Sequence, residues 1–286
     1  MSKILVTGSN GQLGSEIKLL TQENKNFFFT DKSLLDIKDS NKIKQFCINN
    51  QITHIINCAA YTAVDKAESE KELVNQINHI AVKNLAEISK ELNIILIHIS
   101  TDYVFDGKNY IPYKENNKTN PQGVYGKTKL DGEIAFQKSG AKGIIIRTSW
   151  VYSEYGNNFV KTMLKLSKSK DKLCVVFDQV GTPTYAKDLA KTILKILKTK
   201  KLNYLYAEIY HYSNEGVCSW YDFAKEIFEL SNIDIEVNPI ETKDYPMPAK
   251  RPKYSVLNKA KIKNDFDINI PYWKDSLEEM LKDFNE

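Results

Sequence analysis

Short apolar runs alternate with longer amphipathic stretches through the first half of the chain. The runs predict buried strands, and a 3.6-residue apolar period between them predicts helices that cover a sheet. The predicted strands are residues 3–7, 27–30, 54–57, 94–100 and 143–148. The predicted helices are residues 12–22, 41–49, 71–92 and 125–138. This alternation predicts an α/β fold, a Rossmann-type doubly wound parallel sheet, over residues 1–150.

The second half of the chain has a looser, mainly helical pattern. Its predicted helices are residues 158–169, 186–197, 220–230 and 274–283. No Gly/Ser-rich linker separates the halves, so residues 151–286 are expected to pack on the sheet as a smaller, mainly helical substrate-binding lobe, with some segments returning to the first domain. The polar segment 106–122 is expected to be a long loop beside the site.

Composition and charge narrow the class of protein. The 286 residues are 42% hydrophobic and 27% charged, as in a packed globular enzyme. The net charge of +4 comes from lysines scattered among carboxylates, which argues against a nucleic-acid partner. The apolar runs are too short to span a membrane, and the four cysteines have no C-x-x-C spacing. We therefore expect a cytoplasmic protein with no membrane partner.

A glycine-rich turn joins the first predicted strand to the first predicted helix. Gly8, Gly11 and Gly14 have the spacing G-x-x-G-x-x-G, and Asn10, Gln12 and Leu13 lie among them. Glycines at such a turn let the backbone approach a pyrophosphate, which the N–H groups and dipole of the helix then face. The turn predicts a dinucleotide site.

Two further segments are candidates to contact the dinucleotide. Asp31 follows the second strand at the distance where a carboxylate accepts hydrogen bonds from the adenosine ribose, and Lys32 beside it could neutralise a 2′-phosphate. The sequence is thus compatible with either NADH or NADPH as the cofactor, and it slightly favours NADPH. Asp36 and Ile37 are candidates to flank the adenine. The third strand leads into the candidate cofactor residues Ala59, Ala60, Tyr61 and Thr62.

Tyr125 and Lys129 carry the strongest chemical signal. They form Y-x-x-x-K on a predicted helix, so that both lie on one helical face. We expect the ammonium to lower the pKa of the phenol toward neutrality, as suits a group that protonates an alkoxide. Thr101, at the end of a strand, supplies a hydroxyl that can hydrogen-bond the substrate's carbonyl oxygen, which becomes this alkoxide. The pattern predicts exchange of a hydride and a proton with a carbonyl carbon.

Beyond these motifs, whole blocks of sequence resemble one family. The blocks are VTGSNGQLG, NCAAYTAVDKAE, STDYVFDG, VYGKTKLDGE, RTSWVY, GNNFVKTML, DQVGTPT and YPMPAKRP. In this order they resemble the dTDP-4-dehydrorhamnose reductase family of the extended short-chain dehydrogenase/reductases. The resemblance implies NAD(P)H-dependent reduction of the C4 ketone of dTDP-4-dehydro-L-rhamnose to dTDP-L-rhamnose, the last step in making that sugar donor.

The resemblance also implies roles for single residues. Tyr125 would donate the proton, Lys129 would hold the nicotinamide ribose, and Thr101 would polarise the C4 carbonyl. The residues implied to contact substrate are Val64, Thr101, Asp102, Tyr103, Trp150, Asn158 and Arg251. Arg147, one of only two arginines, lies within an apolar strand, and there we favour a structural ion pair.

Metal binding and assembly are less defined by the sequence. Some family members are dimers whose glutamates hold magnesium between subunits, and Glu16 matches one such ligand. Lys187 lies near where a second ligand would be, so we expect no metal and leave monomer and homodimer open.

Two other functions stay open. The regulatory β subunit of methionine adenosyltransferase is a family relative that binds a protein partner, although intact Tyr125, Lys129 and Thr101 argue against it. Alternatively, the chain could be a reductase or epimerase for another dTDP-4-keto-deoxysugar, because such substrates differ by only a methyl or a hydroxyl.

Overall fold

A six-stranded parallel sheet forms the centre of the molecule. The structure is a computed structural model that describes residues 2–285. The sheet contains β1 (Ile4–Thr7), β2 (Phe27–Thr30), β3 (His54–Asn57), β4 (Ile95–Thr101), β5 (Gly143–Thr148) and β10 (Glu208–His211). Their spatial order is β10-β5-β4-β3-β1-β2, and every pair is parallel. The predicted Rossmann-type sheet is thereby confirmed, and its sixth strand comes from the second half of the chain.

The strand order places a crevice beside β1. The chain runs from β1 to β2 on one side and then returns to β3 on the other, which makes the β1/β3 boundary the topological switch point. In open parallel sheets, ligands bind outside the carboxyl ends of the strands at this point. The glycine turn after β1 and residues 58–62 after β3 both lie there.

Helices cover both faces of the sheet. The helices are α1 (Gln12–Leu20), α2 (Ser40–Asn50), α3 (Val64–Ala67), α4 (Lys71–Asn75), α5 (Ala81–Glu91), α6 (Val124–Ser139), α7 (Phe159–Ser167), α8 (Ala186–Leu197), α9 (Trp220–Leu230), α10 (Ala260–Phe266) and α11 (Trp273–Asn285). Strand residues alternate between two buried clusters: Val6 and Ile97 pack with α1 and α8, whereas Leu5 and Leu96 pack with α2 and α5. Side chains that alternate across each strand therefore build both cores.

The second lobe has its own core around α7, α9 and α11. Its strands are short and pair in twos: β6 (Val151–Tyr152) with β9 (Thr184–Tyr185), β7 (Lys172–Val176) with β12 (Glu236–Ile240), and β8 (Val180–Gly181) with β11 (Cys218–Ser219). Phe223, Leu277 and Met280 are fully buried in this cluster. Across the described chain, no helix is both long and apolar enough to cross a bilayer.

Candidate active site

The glycine turn folds as the sequence predicts. Gly8 has φ +66°, and a methyl group there would lie 2.6 Å from the backbone nitrogen of Ala59. Only glycine accepts both the left-handed backbone and this approach, so β1 and the segment after β3 meet closely. The turn is therefore built for close contact between backbone segments at the switch point.

The residues after the turn fit a dinucleotide. Gly11 is the N-cap of α1, no side chain caps it, and no acidic residue lies in the first turn, within the described residues. The N–H groups at the start of α1 thus keep their capacity to bind an anion, and the helix dipole favours it. Leu13 and Gly14 are buried beneath this face, while Gln12 is half-buried at its rim.

The predicted adenosine side is preorganised by hydrogen bonds. The Asp31 carboxylate accepts from the Asn10 side chain (2.5 Å), the Ser33 hydroxyl (2.6 Å) and the Leu34 N–H (3.0 Å). These bonds, led by that of Ser33, hold the pKa of Asp31 below its usual value, so it is ionised. Asp36 is partly exposed, but Ile37 belongs to the buried core, so its side chain packs within the protein.

The segment after β3 is fixed by a residue that the sequence did not single out. Asn78 lies in a π-helical turn, Gln76–Ile80, between α4 and α5. Its amide accepts from the Tyr61 N–H (2.9 Å) and donates to the Tyr61 carbonyl (3.0 Å), which sets the path of residues 59–62. The Tyr61 hydroxyl donates to Glu70 (2.6 Å). Nothing in the spacing of Asn78 within the predicted helix 71–92 indicates this clamp.

Thr101, Asp102, Tyr103 and Tyr125 form one cluster at the carboxyl end of β4. The Thr101 hydroxyl donates to Asp102 (3.0 Å) and accepts from the Tyr103 N–H (3.2 Å). The rings of Tyr103 and Tyr125 meet edge to face with centroids 5.4 Å apart. The nearby Thr101 hydroxyl acts to lower the pKa of Tyr125. The fold thus brings Tyr125 onto Tyr103, the second residue after Thr101.

Two contacts place the helix that carries Tyr125. A methyl group at Gly126 would lie 2.3 Å from the carbonyl oxygen of Tyr103, so this glycine lets α6 approach the end of β4. Glu68 accepts from the Val124 N–H (2.9 Å) and supplies the cap that Gly123 lacks. Glu68 lies in the block YTAVDKAE, and its role depends on the fold.

Lys129 is buried one turn after Tyr125. Its ammonium donates to the Ile99 carbonyl (2.5 Å) and faces His98 Nε2 at 3.5 Å. Only 1% of the residue is exposed. Burial lowers the pKa of Lys129 to about 8, and the nearby Glu133 carboxylate opposes this change.

The predicted lowering of the tyrosine pKa is wrong for the structure described. Burial raises the pKa of Tyr125 to about 12, and the effect of Thr101 is smaller. Burial penalises the phenolate more than the surroundings stabilise it. The phenol is therefore fully protonated at neutral pH, the state that a proton donor needs.

Three of the predicted sugar-contacting residues, Trp150, Val64 and Asp102, differ in their surroundings. Trp150 has φ +48° and stacks on Trp220, with ring centroids 3.6 Å apart and planes at 11°. A positive φ in so bulky a residue is a strained conformation, typical of functional sites. Val64 begins α3 and is half-buried. Asp102 is 2% exposed, and one of its oxygens has no partner within the described residues.

Asn158 joins the second lobe to the glycine turn. As the N-cap of α7 it accepts from the Lys161 N–H (3.1 Å), and its amide donates to Gln12 (3.0 Å) and to the Ser153 carbonyl (2.6 Å). It therefore lies next to the predicted pyrophosphate position.

Both arginines are engaged by carboxylates. Arg251 forms a two-point ion pair with Asp65 of α3, at 3.0 and 2.6 Å. Arg147 forms a fully buried pair with Glu133 of α6, at 2.6 Å, as the sequence predicts. Arg251 is partly exposed and Arg147 is not, so only Arg251 is available to a ligand.

Glu16, which the resemblance matched to a magnesium ligand of some family members, is buried against Ser153 of the second lobe. Glu16 accepts from the Ser153 hydroxyl (2.7 Å), and burial, followed by its contact with Glu154, raises the pKa of Glu16 to about 8. Lys187 instead pairs with Asp283 (2.6 Å) and Glu279 (3.1 Å). In the part of the chain that is described, no three His, Cys, Asp or Glu side chains converge as metal ligands.

Comparison with known proteins shows the family of the chain. Residues 2–286 match the family described as the RmlD substrate binding domain. The dTDP-4-dehydrorhamnose reductase of Aggregatibacter actinomycetemcomitans is 42% identical, with 97% of each chain covered. The crystal structure of a dTDP-4-dehydrorhamnose reductase from Clostridium acetobutylicum has a TM-score of 0.93 at 44% identity, with 99% of both chains covered.

A further structure bears on the cofactor. The dTDP-4-dehydrorhamnose reductase of Bacillus anthracis, solved in complex with NADP, has a TM-score of 0.93 at 39% identity and covers 99% of this chain and 100% of that one. The near-complete coverage by sequence and by fold leaves no part of the site outside the match. The chain therefore belongs to the RmlD substrate binding domain family of dTDP-4-dehydrorhamnose reductases, Rossmann-type enzymes of the extended short-chain dehydrogenase/reductase class.

Proposed function

We propose that this chain reduces the C4 ketone of dTDP-4-dehydro-L-rhamnose to dTDP-L-rhamnose with NADPH or NADH. The observation that carries the proposal is the cluster of Thr101, Tyr125 and Lys129 at the carboxyl end of β4, on the same edge of the sheet as the glycine turn after β1, with β3 between them. The match to reductases along the whole chain supports the substrate.

The three residues divide the proton chemistry. The bound dinucleotide supplies the hydride. Tyr125 holds a proton at its phenol oxygen and gives it to the alkoxide that forms at C4. Thr101 lies within reach of the same oxygen and stabilises its developing charge. Lys129, held by Ile99, would keep an N–H group for the nicotinamide ribose.

The cofactor is proposed to lie along the switch point. Gly11, Gln12 and Leu13 would face the pyrophosphate, Asn10 and Asp31 the adenosine, and residues 59–62 the nicotinamide half. Lys32 is exposed beside Asp31, which leaves room for a 2′-phosphate. The NADP complex of the Bacillus anthracis relative supports NADPH as the first choice.

The sugar nucleotide is proposed to bind between the lobes. Val64, Asp102, Tyr103 and Trp150 would line the sugar pocket, and Asn158 and Arg251 would approach the diphosphate. Since Arg251 pairs with Asp65, it would have to share its guanidinium or exchange partners. We further propose that the enzyme acts in the cytoplasm as a monomer or homodimer; all four cysteines are free thiols, as suits a reducing compartment.

The assay supplies dTDP-4-dehydrorhamnose with each nicotinamide and follows oxidation of the cofactor. We expect Tyr125→Phe to lower kcat by about 100-fold or more, the size of lost general acid catalysis. Tyr110→Phe is the matched control, because Tyr110 is 87% exposed and should leave kcat unchanged. Equal kcat for Tyr125→Phe and the parent would remove Tyr125 from the mechanism, and turnover of only a different dTDP-4-keto sugar would reassign the substrate.

A further inference from the structure

A buried row of polar side chains crosses the sheet from β1 to β4 and ends at Lys129. Thr7, Asn57 and His98 are register partners on the adjacent strands β1, β3 and β4. The Thr7 hydroxyl lies 2.6 Å from Asn57 Oδ1, and Asn57 Nδ2 lies 3.1 Å from His98 Nδ1. His98 Nε2 then faces the Lys129 ammonium at 3.5 Å. All four residues are buried, so solvent does not satisfy these groups.

The row supplies a second acceptor for the ammonium. An ammonium has three N–H donors, and the Ile99 carbonyl takes one of them at 2.5 Å. An imidazole lone pair at Nε2 would take a second. With two N–H groups fixed by Ile99 and His98 of β4, the third N–H points away from β4. Rotation of the Lys129 head group is then set by the sheet.

The charges around His98 require its neutral form. His98 is 0% exposed, and burial, followed by the Lys129 charge, holds its pKa well below the usual value. The groups that face Lys129 are His98 of β4 and Glu133 of α6, which is itself neutralised by Arg147 of β5. A neutral imidazole carries one ring proton, so Nε2 can accept only if that proton is on Nδ1.

We propose that His98 is a positioning residue that acts through Lys129: its Nδ1–H is held by Asn57 and Thr7, and its Nε2 accepts from the ammonium. The inference rests on the role proposed above for Lys129. A half-turn of the Asn57 amide keeps both contacts and presents its oxygen to Nδ1–H and its nitrogen to the Thr7 hydroxyl. Each member of the row then donates a hydrogen bond to the next, from Lys129 through His98 and Asn57 to Thr7.

Two substitutions separate the acceptor from the shape of the ring. In His98→Gln the terminal amide reaches the place of Nε2 and keeps an acceptor near Lys129. In His98→Asn the shorter amide reaches only the place of Nδ1, so Lys129 loses the acceptor. We expect kcat/KM within about threefold of the parent for His98→Gln and at least about tenfold lower for His98→Asn, the range for a hydrogen bond to a charged group. His54→Gln, a buried histidine at the amino end of β3, is the matched control and should leave kcat/KM unchanged.

The pH profile tests the role through Lys129. Loss of an acceptor destabilises the buried ammonium, so the alkaline limb of kcat/KM should move to lower pH by about one unit in His98→Asn and remain in place in His98→Gln. A role confined to packing would weaken both variants alike and leave the limb unmoved. Equal kcat/KM and equal limbs for the two variants would overturn the proposal.

A measurement on the parent protein covers the case in which the variants fail to fold. The ¹⁵N spectrum of the histidine rings should show both His98 and His211 neutral from pH 5 to 8, because burial lowers the pKa of each ring. The His98 ring, assigned by its contact with Lys129, should be the Nδ1–H tautomer. An Nε2–H tautomer while Lys129 is charged would refute the proposal. Lys129→Met separates the proposed active site from the positioning role of His98. If Lys129→Met keeps full activity, the proposed active site is refuted. If Lys129→Met is inactive while the His98 variants have parental activity, only the positioning role is refuted.

Discussion

Burial sets the protonation of the site at the scale of single residues. Tyr125 and Lys129 both shift toward their uncharged forms, and burial is the largest cause for each. Asp102 shifts the same way: burial raises its pKa to about 6, against the hydrogen bond from Thr101, which lowers it. At neutral pH Tyr125 therefore keeps its proton, whereas burial brings the pKa values of Lys129 and Asp102 to within about one unit of neutrality.

The raised pKa of Asp102 makes stability depend on pH. Its pKa rises from 3.8 to about 6 on folding, so this group stabilises the fold below pH 4, and that contribution is lost as the pH rises through 6. Asp102→Asn keeps an oxygen for Thr101 but cannot ionise. We expect the variant to be more stable than the parent by about 3 kcal/mol at pH 7.5 and equal to it near pH 3, measured by urea unfolding.

Asp106 serves as the opposite control. Although burial raises its pKa, hydrogen bonds led by the Lys108 N–H lower it overall, so its contribution is present above pH 4 and is lost on acidification. Asp106→Asn should therefore lose stability at pH 7.5. If both variants lose stability alike at that pH, the pKa of Asp102 is not raised on folding.

Residues that act across the fold were beyond the reach of the sequence. The Y-x-x-x-K spacing, the glycine turn and the hydroxyl of Thr101 follow from local geometry; in the structure Tyr125 packs on Tyr103, and Gly8 lies against Ala59. Glu68 and Asn78 act on backbone groups 56 and 17 residues away, and no local pattern encodes such contacts. The pKa of Tyr125 was predicted in the wrong direction because its burial was not visible in the sequence.

At the scale of elements, the approach of α6 to β4 decides where Tyr125 lies. Gly126→Ala tests this approach, since its methyl group would lie 2.3 Å from the Tyr103 carbonyl oxygen. Alanine favours a helix by about 1 kcal/mol over glycine, but overpacking costs about 1–3 kcal/mol. We expect a net loss of stability of about 1 kcal/mol together with a fall in kcat of at least tenfold, because Tyr125 moves away from Thr101.

The neighbouring residue provides the control for this helix. Lys127 is exposed on α6, so Lys127→Ala should change the free energy of unfolding by less than about 0.5 kcal/mol and leave kcat unchanged. A Gly126→Ala enzyme with parental kcat would mean that the close approach is not needed for catalysis.

Elements with a strong period were predicted well. Strands 27–30, 54–57 and 143–148 and helices 186–197 and 220–230 coincide with the structure, because each has a clear apolar pattern and polar ends. The predicted helix 71–92 is interrupted by the π-helical turn, which the amphipathic period conceals. The pair of β7 and β12 was missed, since these strands meet only after the second lobe has packed.

At the scale of the whole molecule, Arg251 and Asp65 tie the C-terminal segment to α3. Their side chains are about a quarter exposed, so the pair should contribute little to stability, on the order of 1 kcal/mol. If Arg251 also binds the substrate diphosphate, that contact can be separated from its ion pair with Asp65. Arg251→Lys should raise KM for the dTDP-sugar at least about tenfold, because a lysine cannot make the two-point contact.

Asp65→Asn completes that comparison. It breaks the same ion pair but leaves the guanidinium free for substrate, so KM should stay within about twofold or fall, while the loss of stability resembles that of Arg251→Lys. Steady-state kinetics with both variants decides the point. Equal increases in KM would assign Arg251 to the fold alone.

The origin of β10 limits how this protein can be divided or recombined. Residues 208–211 complete the sheet at β5, and α8 covers α1, so the nucleotide-binding half is finished only after more than two hundred residues have left the ribosome. A fragment ending near residue 150 would expose the β5 edge and an apolar helix face, and we expect it to aggregate. Chimaeras that exchange sugar specificity between relatives should therefore keep β10 and α8 with the N-terminal parent.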